Sequence, residues 1–543
     1  MRILIFSTSY IKTILVFSLI LVIYSCNDNF LDEQPLSSLN AELTLSSKEG
    51  FDNYLVGLVR QAREEYTGGA VWETNWIGTD IGDSPGEQFV AYKNWTSYLT
   101  PTNSTVISTW NWAFSKMISQ ANTIIYYASK TELEEIWSSD EEKNAVIAEA
   151  RFFRGYTYNM LANLYGGVPI VDNVSSEIKF DYARATRQAV YEFAKADLEY
   201  ASQWLPLTVD SNREGRIVKG AADHLLSEVN ISLGFYDDAI ASASEVIESG
   251  LYELMTTRFG NYLGESGDVY SDLFEDGNQN RSSGNMESIY VWQIEEITEG
   301  GAGTSGGNQA INKLAPFYTL ISDPDGVANV ASDSLGRGVG ETRGTNYSIY
   351  DIWKNDSGDI RNSKNNFKRD FYYNNSKSQY FGQLIEPQTT KEDTLRNLYP
   401  YPRKIEGKPW QGSQTSGRTG KDVYVYRLAE TFLLRAEAYF RKGDLSKAAD
   451  DINAVRSRSN ASTITPDMIT LDYILDERAR ELMYETPRRR TLIRMGLLVE
   501  RVSKYGILES SRTSIQDYHS LWPIPQEAID ANLGAELEQN PGY

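Results

Sequence analysis

The chain has 543 residues, with 52 lysines and arginines against 74 aspartates and glutamates, for a net charge of −22. So acidic a balance argues against a nucleic-acid binder that works through a broad basic surface. One cysteine and two histidines exclude an intramolecular disulfide, a cysteine-ligated zinc site and any HExxH motif.

In chain order, the first segment carries only Arg2 and Lys12 as charges, then the apolar run TILVFSLILVIYS, which stops at Cys26. That run is too short for a membrane-spanning helix, which needs roughly 20 apolar residues. It has the length of an export signal, so residues 1–25 are expected to be a leader. Val22-Ile23-Tyr24-Ser25-Cys26 resembles the lipobox of bacterial lipoproteins, with Tyr24 as the unusual element. The resemblance implies lipidation of Cys26, an anchor in a membrane and a mature chain that starts there. Residues 26–46 read as a polar tether. No later stretch reaches spanning length without charges.

Residues 47–543 are expected to form one unit that is mainly α-helical. In its first part, 47–250, helical periodicity starts near Ser47 and gives way to a Gly/Asp/Trp-rich loop over 67–101. Helices are predicted over Ser104–Ser129, Asp140–Tyr165, Thr186–Trp204, Lys219–Leu233 and Tyr236–Glu248. Over 251–421 the composition shifts to Gly, Asn, Ser and Asp, with a few short strand-like runs such as SIYVWQIEE. In the last part, 422–543, helices are predicted over Tyr424–Lys442, Leu445–Arg458 and Leu471–Tyr484, then a loop tail with a short helix near Gln526–Ala531.

Two helix pairs share a spacing. Gly234 is followed by Tyr236 and Ala239; Gly443 is followed by Leu445 and Ala448, with Ala436 seven residues before it. Small residues allow close helix approach and glycine separates the helices, as in tetratricopeptide hairpins. The expected architecture is therefore a tetratricopeptide-like scaffold of helical hairpins beside a large, irregular, loop-rich half.

Signatures of chemistry are scarce. His224 lies in a helical run and His519 precedes Leu521-Trp522-Pro523, so both read as structural. Gly301–Gly306 spells GxGxxG after a plausible strand, but no alternating strand–helix pattern surrounds it, so it reads as a loop and no dinucleotide cofactor is expected. Asp323-Pro324-Asp325-Gly326 lacks the ligand series of a calcium loop, and no metal is expected. No carboxylate pair stands out at a spacing that would mark a glycosidase.

Four stretches together resemble the SusD/RagB family of outer-membrane nutrient-binding lipoproteins. They are EARFFRGYTYNMLANLYGGVPIV at 149–171, YRLAETFLLRAEAY at 426–439, ERARELMYETPRRRTLIRMG at 477–496 and LWPIPQEAIDANLGAELEQNPGY at 521–543. Thr486-Pro487 and Thr491 depart from the family pattern. On their own chemistry these motifs are structural: Glu149, Arg151 and Arg154 recur at helical spacing and are expected to pair between packed helices. What the resemblance implies is a non-enzymatic, cell-surface binder of oligo- or polysaccharide. It would sit on a SusC-like TonB-dependent transporter in the outer membrane and pass the glycan to it. A peptide-binding, RagB-like lipoprotein and a glycoside hydrolase are the alternatives.

A sugar offers apolar C–H faces and a rim of hydroxyls, so its site needs flat aromatic platforms beside amides or carboxylates. The candidate ligand residues are Trp76, Asp80, Asp83, Asn94 and Trp95 in the first loop, and Trp292, Tyr318, Tyr350, Trp353 and Tyr372 in the middle region. Trp110 and Trp112 are assigned to the core.

Overall fold

The computed structural model describes residues 41–543 apart from 66–73, 86–89, 175–177, 299, 303–306 and 333–335. The proposed leader and Cys26 therefore lie outside the described residues. About half of the chain is helical, and none of the described helices is long and apolar enough to cross a membrane.

Helices of six or more residues are numbered here in chain order. They are α1 Lys48–Arg63, α2 Ser104–Asn111, α3 Ser119–Ala128, α4 Asp140–Leu164, α5 Arg187–Trp204, α6 Lys219–Leu233 and α7 Tyr236–Ile247 in the first part. In the last part come α8 Leu428–Lys442, α9 Leu445–Arg458, α10 Leu471–Leu482, α11 Arg488–Met495, α12 Leu498–Tyr505, α13 Glu509–Ser514 and α14 Gln526–Ala531. A π-helical stretch, Trp112–Ile118, joins α2 to α3.

Local chemistry explains the boundaries. Side chains of Ser47, Asn103, Ser139, Thr186 and Thr470 accept hydrogen bonds from the first-turn amides of α1, α2, α4, α5 and α10. Gly234 and Gly443 end α6 and α8 in the left-handed conformation, at φ 79° and 88°. Each therefore turns the chain sharply into the next helix, and α6/α7 and α8/α9 are the two hairpins the spacing predicts. Ile231 and Ala239 of the first pack against Leu434 and Ala438 of the second, which stacks one hairpin on the other. Gly155 lets α4 approach α5 closely: a Cβ there would lie 3.1 Å from the Ala194 carbonyl oxygen.

Buried ions reinforce this framework. Arg154 pairs with Asp197 at 2.7 Å and Arg216 with Glu149 at 2.7 Å; Arg151 lies 3.8 Å from Asp197. Trp110 and Trp112 are buried. His224 and His519 are buried as well, His224 beside the Thr431 hydroxyl at 2.8 Å, and His519 accepting the Gln516 N–H at 2.9 Å.

Two expectations are corrected. Tyr424–Arg427 is strand, not the start of a helix: β6, Val423–Arg427, pairs antiparallel with β2, Ser288–Trp292. Both are buried on both faces, which removes the alternation of polar and apolar residues that marks a strand. The region after α10 is helical rather than a loop tail, because α11 to α13 occupy it. The remaining described strands are two residues long: β1 (Gly82–Asp83) pairs with β3 (Arg343–Gly344), and β4 (Phe367–Lys368) with β5 (Tyr401–Pro402).

An arginine–carboxylate network fastens the irregular half to α10. Arg427 reaches Glu287 at 2.8 Å, Glu481 at 3.0 Å and Glu485 at 2.7 Å. Arg361 reaches Asp359, Glu477 and Glu481 at 2.7, 2.8 and 3.0 Å, and Arg456 reaches Glu477 at 2.7 Å. Burial alone would raise the Glu477 carboxyl, but Arg361, Arg480 and Arg456 hold it down at about 2. Isolated charges at this depth would be prohibitive; as a connected set they bind loops that carry little regular hydrogen bonding.

Candidate functional site

Most of the loop aromatics are structural. Trp76, Trp95, Trp292 and Trp353 are buried, and each indole N–H has an internal acceptor. Trp76 donates to the Thr486 carbonyl at 2.9 Å, Trp95 to the Ser511 hydroxyl at 3.4 Å, Trp292 to the Tyr290 hydroxyl at 3.1 Å and Trp353 to the Ser348 carbonyl at 2.9 Å. Tyr318 is buried and donates to the Gly336 carbonyl at 2.8 Å. None of these five presents a ring face to solvent, so as platforms they are corrected to core residues.

The two loop carboxylates are also committed inward. Asp80 is buried and accepts from Arg488 at 2.8 and 2.6 Å and from Arg501 at 2.9 Å. Burial pushes its carboxyl up, and the two guanidinium groups outweigh that and hold it below the usual range. Asp83 accepts from the backbone amides of Ser84 at 2.8 Å and Ile507 at 3.0 Å, and burial raises its carboxyl. Half-buried Asn94 caps the short helix Trp95–Tyr98 by accepting from the Ser97 amide at 3.1 Å.

Two candidates remain accessible. Tyr350 is 43% exposed and is flanked by the Arg369 guanidinium 5.7 Å from its ring centre. Tyr372 is 44% exposed and sits opposite exposed Leu384 in an antiparallel bridge.

A cleft of about 1030 Å³ lies elsewhere in the irregular half. It is walled by Tyr262–Ser266, by Tyr270–Asp276, by Ile294–Glu296 after β2, and by the segments 403–412 and 420. None of the sequence candidates lines it. Half-buried Tyr262 and Phe274 supply aromatic surface. Asp422 accepts from the Ile294 amide at 2.7 Å and from Asn280 at 2.6 Å, which fixes the start of one wall. Burial raises that carboxyl to about 6.

Lys404 joins the cleft to the network beneath it. Its ammonium donates to Glu485 at 2.5 Å, to the Glu481 carbonyl at 2.9 Å and to the Tyr270 hydroxyl at 3.0 Å. Burial lowers it to about 8 despite the Glu485 carboxylate. Lys421 is similarly enclosed, donating to the carbonyls of Phe274 at 3.0 Å and Lys404 at 2.6 Å. The arrangement is a rigid, polar trough with aromatic flanks. Its Tyr262, Phe274 and acidic residues had no distinguishing sequence signal beyond lying in the segment 251–421, because they come from separate loops.

The sequence matches the family model described as the SusD family over residues 272–543. A second model, described as starch-binding and associating with the outer membrane, matches residues 29–231. The chain belongs to the SusD family. Among curated SusD relatives, a SusD-like protein of Formosa agariphila is 23% identical, with 96% of this chain and 97% of that protein covered. The starch-binding protein SusD of Bacteroides thetaiotaomicron is 35% identical over a stretch that covers 25% of each chain. In fold, a SusD homolog from the same bacterium superposes with a TM-score of 0.70 at 22% identity, covering 93% of this chain and 99% of the other. Surface glycan-binding protein A from Bacteroides thetaiotaomicron, solved in complex with laminarihexaose, gives 0.68 at 21% identity and covers 91% and 99%. At such identities the structural likeness carries the helical SusD fold.

Proposed function

We propose that this SusD-family chain is a cell-surface glycan-binding lipoprotein that captures oligo- or polysaccharide without turnover. It then delivers the glycan to a SusC-like TonB-dependent outer-membrane transporter. Membership of the SusD family carries the reading. The cleft adds a seat, with Tyr262 and Phe274 as apolar surface for sugar rings and surrounding carboxylates as acceptors for their hydroxyl protons. Exposed Tyr350 and Tyr372 are further platforms for an extended chain, and several weak contacts along one glycan raise its overall affinity. Cys26 is the proposed lipid attachment point.

A glycan array probed with the soluble chain from Asn27 onward tests the binding. The expected result is saturable capture of a defined glycan with no new reducing ends; release of reducing ends favours a hydrolase, and capture of peptides alone overturns the glycan reading. Cys26→Ala in cells lacking the partner transporter is expected to leave the protein unanchored. Retention in the outer membrane under those conditions would refute lipidation.

A further inference from the structure

A second cavity, of about 260 Å³, lies between the α5–α6 connection, Tyr252, the segment 280–282 and β2. It shares no lining residue with the cleft. Two hydroxyl groups in its wall are unclaimed. Tyr252 and Ser288 are only 7% and 3% exposed, and among the described residues neither hydroxyl has a hydrogen-bond partner. A Cβ at Gly220, in the first turn of α6, would lie 2.5 Å from the Tyr252 hydroxyl oxygen, so the glycine makes room for it there. Burial pushes the Tyr252 phenol up to about 12, which keeps it a donor at neutral pH. Buried polar groups are seldom left without partners, and two of them lining one cavity mark a place for a ligand.

The charges in this wall favour neither sign of ligand. Arg216 is matched by Glu149 at 2.7 Å and by Asp52 at 2.5 Å. Asp223, whose charge acts on the Tyr252 phenol, is held by Lys219 at 2.6 Å. Arg281 donates to the Leu251 carbonyl at 2.7 Å and lies 4.9 Å from the centre of the Tyr252 ring. Glu214 accepts from the Ser282 amide and hydroxyl, both at 2.7 Å. Among the described residues neither Arg281 nor Glu214 has an ion pair, so the wall carries one unmatched charge of each sign. Leu207, Val209 and Val218 add apolar surface. We propose that this cavity binds an uncharged, hydroxyl-rich molecule the size of one sugar ring. A ligand hydroxyl both donates and accepts, so it serves Tyr252 and Ser288 without bringing a net charge. The volume falls just under the range of about 300–1,000 Å³ usual for ligand sites, which suits one ring rather than a chain. The proposal goes beyond glycan capture in the cleft and does not depend on it.

The test titrates the soluble chain from Asn27 onward with D-glucose, D-galactose and D-mannose in turn, followed by ligand-observed NMR, and repeats the series with Tyr252→Phe and Ser288→Ala variants. Acetate, inorganic phosphate and glycine serve as charged comparisons. The wild-type chain is expected to bind at least one of the sugars saturably, and more tightly than any charged probe. Each variant is expected to weaken that binding about fivefold, as the loss of one hydrogen-bond partner does. The thermal midpoint should not fall, because the hydroxyl removed serves no partner within the protein. Absence of saturable sugar binding overturns the proposal, and a glycan still captured on the array then leaves the reading of the cleft intact. Sugar binding that both variants leave unchanged also overturns it, because the ring then sits elsewhere. Tighter binding of acetate, phosphate or glycine overturns the uncharged class of ligand. A midpoint lowered by several degrees in either variant makes that hydroxyl a structural group and overturns its part in the site.

Discussion

The buried framework and the cleft in the irregular half place their charges differently. In the framework and at its junction with the loops, buried charges are matched: Arg154 with Asp197, Arg216 with Glu149, Arg494 with Glu437 at 2.7 Å. Around the cleft, carboxylates outnumber cations, and Glu265, Glu295 and Lys408 are exposed. Matched charges fix one arrangement of packed elements. Exposed ones at an open cleft cost little while solvated and can meet a ligand. The same contrast holds for aromatics, since most loop tryptophans face inward and Tyr350 and Tyr372 face out.

The strongest way to break this contrast is to unbalance the junction. Arg427→Ala would leave Glu287, Glu481 and Glu485 without a shared cation, and is expected to cost about 5 kcal/mol or to prevent folding. Denaturant titration reads the loss. Trp292→Ala comes next, with an expected destabilisation of about 3–5 kcal/mol and a matching fall in the thermal midpoint. An unchanged midpoint would return Trp292 to the list of platforms. Tyr262→Ala should do the reverse, weakening glycan binding by about 1–3 kcal/mol in titration calorimetry while the midpoint stays in place.

A pH series tests the buried groups of the framework directly. Burial lowers His519 from 6.5 to about 4. Between those values the unfolded chain holds a proton that the folded chain refuses, so stability is full above about 6.5 and falls as the pH drops towards 4. His519→Gln should flatten that part of the stability profile. The fall driven by Glu477 begins lower, as the pH drops below 4.5 towards 2, so the two contributions can be told apart.

Much of the framework was legible in the sequence because caps, glycines and helical periodicity agreed. Lys219–Leu233 and Leu445–Arg458 have their expected ends. The helices α11 to α13 were not legible. Arg488, Arg489 and Arg490 are all buried, so the residues that fill the interior of α11 are the ones that composition assigns to the surface. The site was less legible still. Tryptophans in Gly- and Asn-rich sequence suggest exposed platforms, but here such loops fold back as a covering layer, and carbonyls and hydroxyls, distant in sequence for Trp76 and Trp95 and local for Trp353, satisfy their indoles. The cleft draws on segments more than a hundred residues apart, such as Tyr262–Ser266 and 403–412, and no spacing rule connects them.

The grip of Arg488 and Arg501 on Asp80 has a consequence for the order of folding. The contacts span 408 and 421 positions of sequence, and Arg489 adds hydrogen bonds to the carbonyls of Thr74 and Ile77 in the same loop. A chain emerging from its N-terminus can form the α4/α5 pair early, because those helices are neighbours in sequence. The loop around Asp80 has to wait for nearly the whole polypeptide, since closing it sooner would bury a carboxylate with neither cation in reach. Its closure is therefore a late event that joins the two ends of the chain, and a truncation before Arg488 should leave it open to proteases even where the early helices have formed.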